Sequence, residues 1–515
     1  LLQRSWIMLR EGQMMLDVGR ALLQAAERSP GAEALVHGDR RWTYAEMALD
    51  ARRLASGLYG MGLKSGDRII SILQNTSEAA LLHWACQLTG IAIVPLNWRV
   101  TDLELDYVVE NADAKAVFFQ EISSATASTS KAAQSLIRVD LDEEYSNLLE
   151  SQPIAAESHG NADAWSVMLY TSGTTGRPKG VPRSHRAERA AAIAHVAQYR
   201  FGRGERTLGV MPLYHTMGVR ALLASALIDG CFVCMPRFDA GAAALMIEAE
   251  KLTHLILVPT LFHDLISTAN FGSADIKSVT KLGFAGASMT DGLLVRLSEI
   301  FSPEIFVNHY GSSEIYTFTI EPDAPKKPGS AGKAGLNQTI RVVKLGGQPD
   351  DFADIGEEGE IIADLAGDEA FEGYWQRPDA NEKALRNGWY FTGDTGFYDA
   401  DGDLFVTGRV DDMIITGGEN VSPVEIESLL SLHPGVGEVA VAGIADERWG
   451  QIVAAFITRK GTVDGDILDT YCRQSGLANF KRPRRYVFVT EIPKSPVGKI
   501  LRRLLQAGEY QEEIL

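Results

Sequence analysis

The chain is poor in the features that define several large classes of protein. Four cysteines among 515 residues are too few for a disulfide scaffold and point to a reducing compartment. No stretch of about 18 uninterrupted apolar residues occurs, so no segment reads as a membrane-spanning helix. The basic excess of a general nucleic-acid binder is missing: 49 Lys and Arg face 67 Asp and Glu, a net charge of −18. The opening stretch LLQRSWIMLREGQMMLDVGRALLQAAERSPG is broken by charges and has no continuous apolar core. It reads as an amphipathic helix ended by Pro30-Gly31, not as a signal peptide, and the expected location is the cytoplasm.

What is present is an ordinary globular balance, 45% hydrophobic and 23% charged, in a chain too long for one core. Strand-like runs such as DRIISIL, AKAVFF, CFVCMP and HLILVP alternate with Ala- or Leu-rich helical stretches. That alternation predicts an α/β fold with parallel-type sheets flanked by helices. Near GWYFTGDTGFYDADGDLFVTGRVDDMI the texture changes to short strands with Asp-Gly turns, as in a small antiparallel module. A boundary is therefore expected near Asp411, between a large domain (1–410) and a small mobile α+β domain (411–515). The CFVC pair invites a metal or redox interpretation. In a strand, however, Cys231 and Cys234 point to opposite faces, so they are expected to be buried small hydrophobes.

The stretch YTSGTTGRPKG, Tyr170 to Gly180, has the composition of a phosphate cradle but cannot be a Walker loop. Gly173 and Gly176 are too close, and Pro178 before Lys179 prevents a helix from starting on the lysine. Backbone N–H groups and the hydroxyls of Thr171, Ser172, Thr174 and Thr175 suit a flexible polyphosphate, with Lys179 adding charge. Taken alone, the stretch reads equally well as a flexible surface loop.

The rest of the chain separates the two. YTSGTTGRPKG resembles the signature of the AMP-forming adenylating enzymes, which include acyl-CoA synthetases, carrier-loading adenylation domains and luciferases. RWTYAE and GIAIVPLN resemble the early motifs of that superfamily. MPLYH, YGSSE, WYFTGD, GRVDDMIITGGENVSPVEIE and PKSPVGK resemble its later ones, in order. FAGASM, VDDMIITGGEN, DERWGQ and NFKRPRRY are most similar to the 4-chlorobenzoate–CoA ligase group.

The resemblance implies ATP, Mg²⁺ and CoA as cofactors and a small carboxylic acid as substrate. It implies that Glu314 holds Mg²⁺, that Tyr310, Gly311, Ser312 and Ser313 contact the nucleotide, and that Asp394 and Arg409 address the ribose and phosphate. Ser313 departs from the usual Thr but keeps the hydroxyl. Lys499 would lie where carboxylate and α-phosphate meet, Asp411 would be the hinge, and His215 a wall or gate of the acid pocket. Alongside His215 and Met217, the pocket would include Ala194, Ile256, Ala287, His309 and Tyr316. Ala194, Ile256, His309 and Tyr316 replace largely aromatic positions of the chlorobenzoate group, opening space and adding polar handles.

Between Lys481 and Arg503, eight basic side chains face one acid, a local charge of +7. With Trp449 and Phe480 as stacking surfaces, Arg482 and Arg484 are expected at CoA, and Gly417 and Gly418 along the pantetheine path. The expected activity is an ATP-dependent, AMP-forming carboxylate–CoA ligase acting on an aromatic or alicyclic acid. A medium- or long-chain fatty acid and a carrier-protein loading reaction are the alternatives. No nucleic acid is expected as a partner, and a homodimer stays open.

Overall fold

The computed structural model describes residues 17–171, 178–409, 412–416, 419–475, 477–495 and 500–513. A six-stranded sheet takes the strands Arg68–Ile72, Ala92–Pro95, Ala116–Phe119, Ile137–Asp140 and Trp165–Thr171 in parallel. Lys179–Ser184 runs antiparallel at its edge, against Trp165–Thr171. A second, 14-stranded sheet is mixed rather than wholly of the expected parallel type. Arg206–Gly209, Cys231–Cys234, His254–Leu257, Lys281–Ala285 and Ile305–Tyr310 pair in parallel, and the strands from Thr319–Glu321 onward pair antiparallel. The Asp401-Gly402 turn joins Trp389–Tyr398 to Leu404–Arg409, and both strands belong to this large sheet instead of forming a module of their own.

The helix Ser77–Thr89 explains how two sheets share one core. Its sequence SEAALLHWACQLT is mostly apolar, and every residue but Glu78 is buried, as in a helix enclosed on nearly all sides. It touches both Ala92–Pro95 of the first sheet and Glu33–His37 of the second, with Trp84 fully buried. The RWTYAE motif acts locally. Thr43 caps the helix Tyr44–Gly60, accepting from the Glu46 amide while the Glu46 carboxylate accepts from the Thr43 amide. Capping fixes where Tyr44 points, and its hydroxyl donates to the Ser225 and Gly230 carbonyls at 2.9 and 2.7 Å.

After Arg409 the chain changes sheet. Ile414–Thr416 and Glu419–Val421 enter a five-stranded sheet with Val436–Asp446, Gly450–Arg459 and Arg485–Phe488. The helices Pro423–Ser431, Gly465–Gln474 and Arg502–Ala507 complete this smaller unit. It meets the larger one where Gly292, on the helix Asp291–Phe301, donates its amide to Ser431 Oγ at 3.3 Å. All four cysteines are buried free thiols; Cys231 and Cys234 lie in one strand, with burial pushing the Cys231 thiol up to about 12. No helix among the described residues is long and apolar enough to cross a membrane.

The helix Thr216–Leu227 begins on a turn with no spare room. A Cβ on Gly218 would lie 2.2 Å from the Pro212 carbonyl oxygen and 2.3 Å from that of Met211. Gly218→Ala should therefore cost about 1–3 kcal/mol through overpacking. Urea denaturation measures this, and an unchanged midpoint would contradict so tight a turn.

Candidate active site

The strands Trp165–Thr171 and Lys179–Ser184, which flank the phosphate stretch in sequence, pair antiparallel. Lys179 is therefore the first residue of a strand, with Thr171 opposite it in register. Its Nζ lies 4.1 Å from the centroid of the Tyr374 ring, and the Tyr374 hydroxyl donates to Glu314 Oε1 at 2.7 Å. Burial lowers the Lys179 pKa, and the Glu314 charge opposes that shift. A cation, an aromatic face and a carboxylate thus converge where the strand Lys179–Ser184 begins.

Glu314 sits on the tight connection between Ile305–Tyr310 and Thr319–Glu321. Ser312 shapes that turn: its amide donates to the Ile315 carbonyl, and its Oγ accepts from the Glu314 amide at 3.2 Å. Gly311 is required because a Cβ there would meet the Tyr316 carbonyl oxygen at 1.8 Å. Ser313 is half-buried in the same turn. The carboxylate of Glu314, 6% exposed among hydroxyl groups, is a hard oxygen donor of the kind Mg²⁺ takes, so the site fits that ion.

Asp394 and Arg409 are register partners on adjacent antiparallel strands, which places their side chains together. Arg409 Nη1 donates to Asp394 Oδ1 at 2.8 Å, and the Tyr310 hydroxyl donates to Oδ2 at 2.6 Å. Gly393, at φ +72°, leaves room for the guanidinium: a Cβ there would lie 2.9 Å from Arg409 Nη2. Burial raises the Tyr310 pKa well above its usual value, with the Asp394 charge adding to it. The aspartate is thus held in one orientation by donors on both of its oxygens.

The residues expected at the acid pocket form a hydrogen-bonded aromatic wall. His309 Nε2 pairs with the Tyr316 carbonyl at 3.2 Å, and the Tyr316 hydroxyl pairs with His195 Nδ1 at 3.1 Å. His195 stands next to Ala194 on the helix His185–Gln198, and Ala194 is buried. Ile256 packs with Tyr199 and Phe201, and Tyr199 contacts His309 at 3.4 Å. Burial pushes His309 down to about 4 and His195 well below the usual range, so both are neutral imidazoles at pH 7. His215 caps the helix Thr216–Leu227, with Nδ1 accepting from the Met217 amide at 3.3 Å. Met217 is buried and Ala287 half-buried.

The basic stretch of the small unit differs from expectation. Lys481 pairs with Glu425, Arg482 with Asp469, Lys494 with Glu438 and Arg502 with Glu427, at 2.6–2.8 Å. These acids come from elsewhere in the fold, so a charge count along the sequence could not see them, and the +7 is largely neutralised. Arg484 instead lies 4.4 Å over the Trp449 ring, with Arg448 at 5.0 Å from it. Phe480 is 38% exposed nearby in sequence. Ser172, Gly173, Thr174, Thr175, Gly176, Asp411, Gly417, Gly418 and Lys499 lie outside the described residues.

Sequence reasoning missed Tyr374, Arg183 and Glu369. Tyr374 and Glu369 belong to a segment that runs beside Lys179–Ser184, with the Trp375 amide donating to the Gly180 carbonyl at 2.9 Å. Nothing in DEAFEGYWQRP marks that pairing; the adjacency is tertiary. Arg183 lies within the phosphate motif's own strand, where a buried arginine breaks the apolar pattern, and that was a usable signal.

Residues 22–375 match the AMP-binding enzyme family, and residues 425–499 match the AMP-binding enzyme C-terminal domain. The chain belongs to this family, and it is an AMP-forming acyl-CoA synthetase with the mixed α/β fold of the adenylate-forming enzymes. It is 32% identical to 4-chlorobenzoate–CoA ligase of Arthrobacter sp, over 94% of this chain and 93% of the relative. It is also 32% identical to a long-chain-fatty-acid–CoA ligase of Mycobacterium tuberculosis, over 96% of this chain and 98% of the relative. The structure of o-succinylbenzoate coenzyme A synthetase from Bacillus subtilis with ATP and magnesium superposes with a TM-score of 0.81. It is 28% identical, covering 94% of this chain and 98% of that one.

Glu369 is wholly buried; burial pushes its carboxyl from an ordinary value near 4.5 up to about 7, against the opposing pull of Arg183. The folded-state value lies above the unfolded one. The contribution to stability is therefore complete below about pH 4.5 and lost as pH rises through about 7. Relative to Glu369→Gln, the wild-type protein should lose up to about 3 kcal/mol across that window. Paired urea titrations on either side of it check this; a stability difference that does not change with pH would refute the assignment.

Proposed function

We propose that the chain activates an aromatic or alicyclic carboxylic acid with ATP and passes the acyl group to CoA. The observation that carries this reading is the convergence of Lys179 and Glu314 on Tyr374. In the first half-reaction a carboxylate oxygen attacks the α-phosphorus of ATP, the bond to the β-phosphate oxygen breaks, and pyrophosphate leaves. Lys179 and the donor-rich stretch that precedes it bind the leaving phosphates, and Asp394 orients the ribose by accepting from its hydroxyls. Mg²⁺, held by Glu314, would offset phosphate charge. Lys499 would balance the two anions as they meet.

In the second half-reaction the CoA sulfur attacks the acyl carbonyl carbon, AMP departs with the bridging oxygen, and the thiol proton goes to solvent. The 1–410 and 411–515 units would reorient between the steps about Asp411. Arg484 and Trp449, already stacked, and Phe480 offer a surface for the CoA nucleotide, with Arg482 at its edge; Gly417 and Gly418 would line the pantetheine path. Four buried free thiols suit the cytoplasm.

The neutral, hydrogen-bonded wall of His195, His309 and Tyr316 favours a compact ring over a long alkyl chain. The Mycobacterium tuberculosis relative, at the same identity as the chlorobenzoate enzyme, keeps a fatty-acid reading in view. Pyrophosphate release across benzoates, cyclohexanecarboxylates and fatty acids separates the two. A preference for chains of eight carbons or more would reject the ring-acid reading.

Lys499→Ala should lower acid-dependent pyrophosphate release by roughly 100-fold or more, as removal of a preorganised charge does elsewhere. It should still convert supplied acyl-AMP and CoA to thioester. Equal loss in both half-reactions would contradict an adenylation-specific lysine.

A further inference from the structure

Three charged side chains share one fully buried site behind the phosphate strand. Arg183 Nε donates to Glu188 Oε1 at 2.9 Å, and Arg220 Nη2 pairs with Glu188 Oε2; none of the three has solvent exposure. Arg220 Nη1 also donates to the Glu188 carbonyl at 2.8 Å. Burial is costly here, pushing Arg183 down to about 10 and Arg220 to about 9. Apolar side chains of similar volume commonly serve stability as well as such a triad or better. Stability alone does not account for it.

The geometry around Arg183 suggests what does. Its Nη1 donates to two main-chain carbonyls, those of Glu314 at 2.8 Å and Glu369 at 2.7 Å. The Glu314 carbonyl also accepts from the Phe371 amide at 3.0 Å. Residues 179 and 183 lie on one face of a single strand. That strand therefore presents Lys179 toward the phosphates at its start and grips the backbone of Glu314 near its end. At the far side of the triad, the Arg220 guanidinium carbon lies 5.4 Å from the Tyr316 ring centroid, two residues beyond Glu314.

We propose that Arg183, braced by Glu188 and Arg220, is a positioning residue that fixes where Glu314 presents its carboxylate to the metal and phosphates. It acts through the main chain of Glu314 and touches no substrate. The proposal rests on Glu314 as the metal-holding residue.

Arg183→Lys keeps the buried charge but loses the fork that reaches Glu188 and both carbonyls together. Titration calorimetry with Mg²⁺ and a non-hydrolysable ATP analogue should show roughly ten-fold weaker metal-dependent binding, the scale of a lost outer-shell contact. The Mg²⁺ concentration for half-maximal pyrophosphate release should rise in parallel. Conversion of supplied acyl-AMP to thioester should stay within about two-fold of wild type, since that step needs no metal–phosphate alignment. A second variant, Arg183→Met with Glu188→Leu and Arg220→Met, removes all three charges at similar volume and should fold with the same metal defect.

Either folded variant with wild-type Mg²⁺ dependence overturns the proposal. So does equal loss of both half-reactions, or failure of both variants to fold, which would make the triad structural only. Glu314→Gln is run beside them. If it weakens Mg²⁺ binding and Arg183→Lys does not, only the positioning role falls; if it leaves Mg²⁺ binding unchanged, the metal assignment of Glu314 falls and takes the proposal with it.

Discussion

One antiparallel strand at the edge of an otherwise parallel sheet governs the geometry around the nucleotide. Had Trp165–Thr171 been followed by a helix, Lys179 would have projected from a helix N-terminus toward a phosphate wrapped in backbone amides. Instead Lys179–Ser184 runs back along its neighbour, so Lys179 stands opposite Thr171 at the edge of the sheet. The free edge of that strand then takes the segment containing Glu369, Tyr374 and Trp375, through Trp375 to Gly180 and Arg183 to Glu369. The turn carrying Glu314 is clasped in turn by this segment. Lys179, Glu314 and Tyr374 are thus assembled from three distant stretches by one strand direction.

Desolvation is the second recurring force. The interior keeps Arg183, Glu188, Arg220 and Glu369 away from water, and it does the same to His195 and His309. For the histidines the result is simple: neutral rings that pass hydrogen bonds along a chain of tyrosines. For Arg183, Glu188 and Arg220 neutrality is not available to all at once, so these three survive by pairing. Buried charge at this density is directional, and it ties the strand Lys179–Ser184, the helix His185–Gln198 and the helix Thr216–Leu227 into one rigid block.

Much of this was legible in the sequence, for identifiable reasons. The capping box at Thr43, the alternation of strand and helix, and the burial of Cys231 and Cys234 all follow from local pattern. Asp394 and Arg409 were both named from motifs, though their pairing across a hairpin appears only once the register is known. The mixed character of the large sheet was not visible, because a strand's direction is set by where its connection leads. The basic stretch from Lys481 was misjudged for a similar reason: Glu425, Asp469, Glu438 and Glu427 lie well outside the window that was counted. Tyr374 and Glu369 were missed because their importance comes from a neighbour nearly two hundred positions earlier.

The meeting of the two units at Gly292 has a thermodynamic consequence. A Cβ at that position would lie 2.5 Å from the Ser431 carbonyl oxygen, so the helices approach there only because no side chain intervenes. What joins them at this point is an amide and a hydroxyl. Water can satisfy both groups once they part, so separation here leaves no stranded dipole. This one hydrogen bond therefore adds little to the free energy that seats the small unit on the large one.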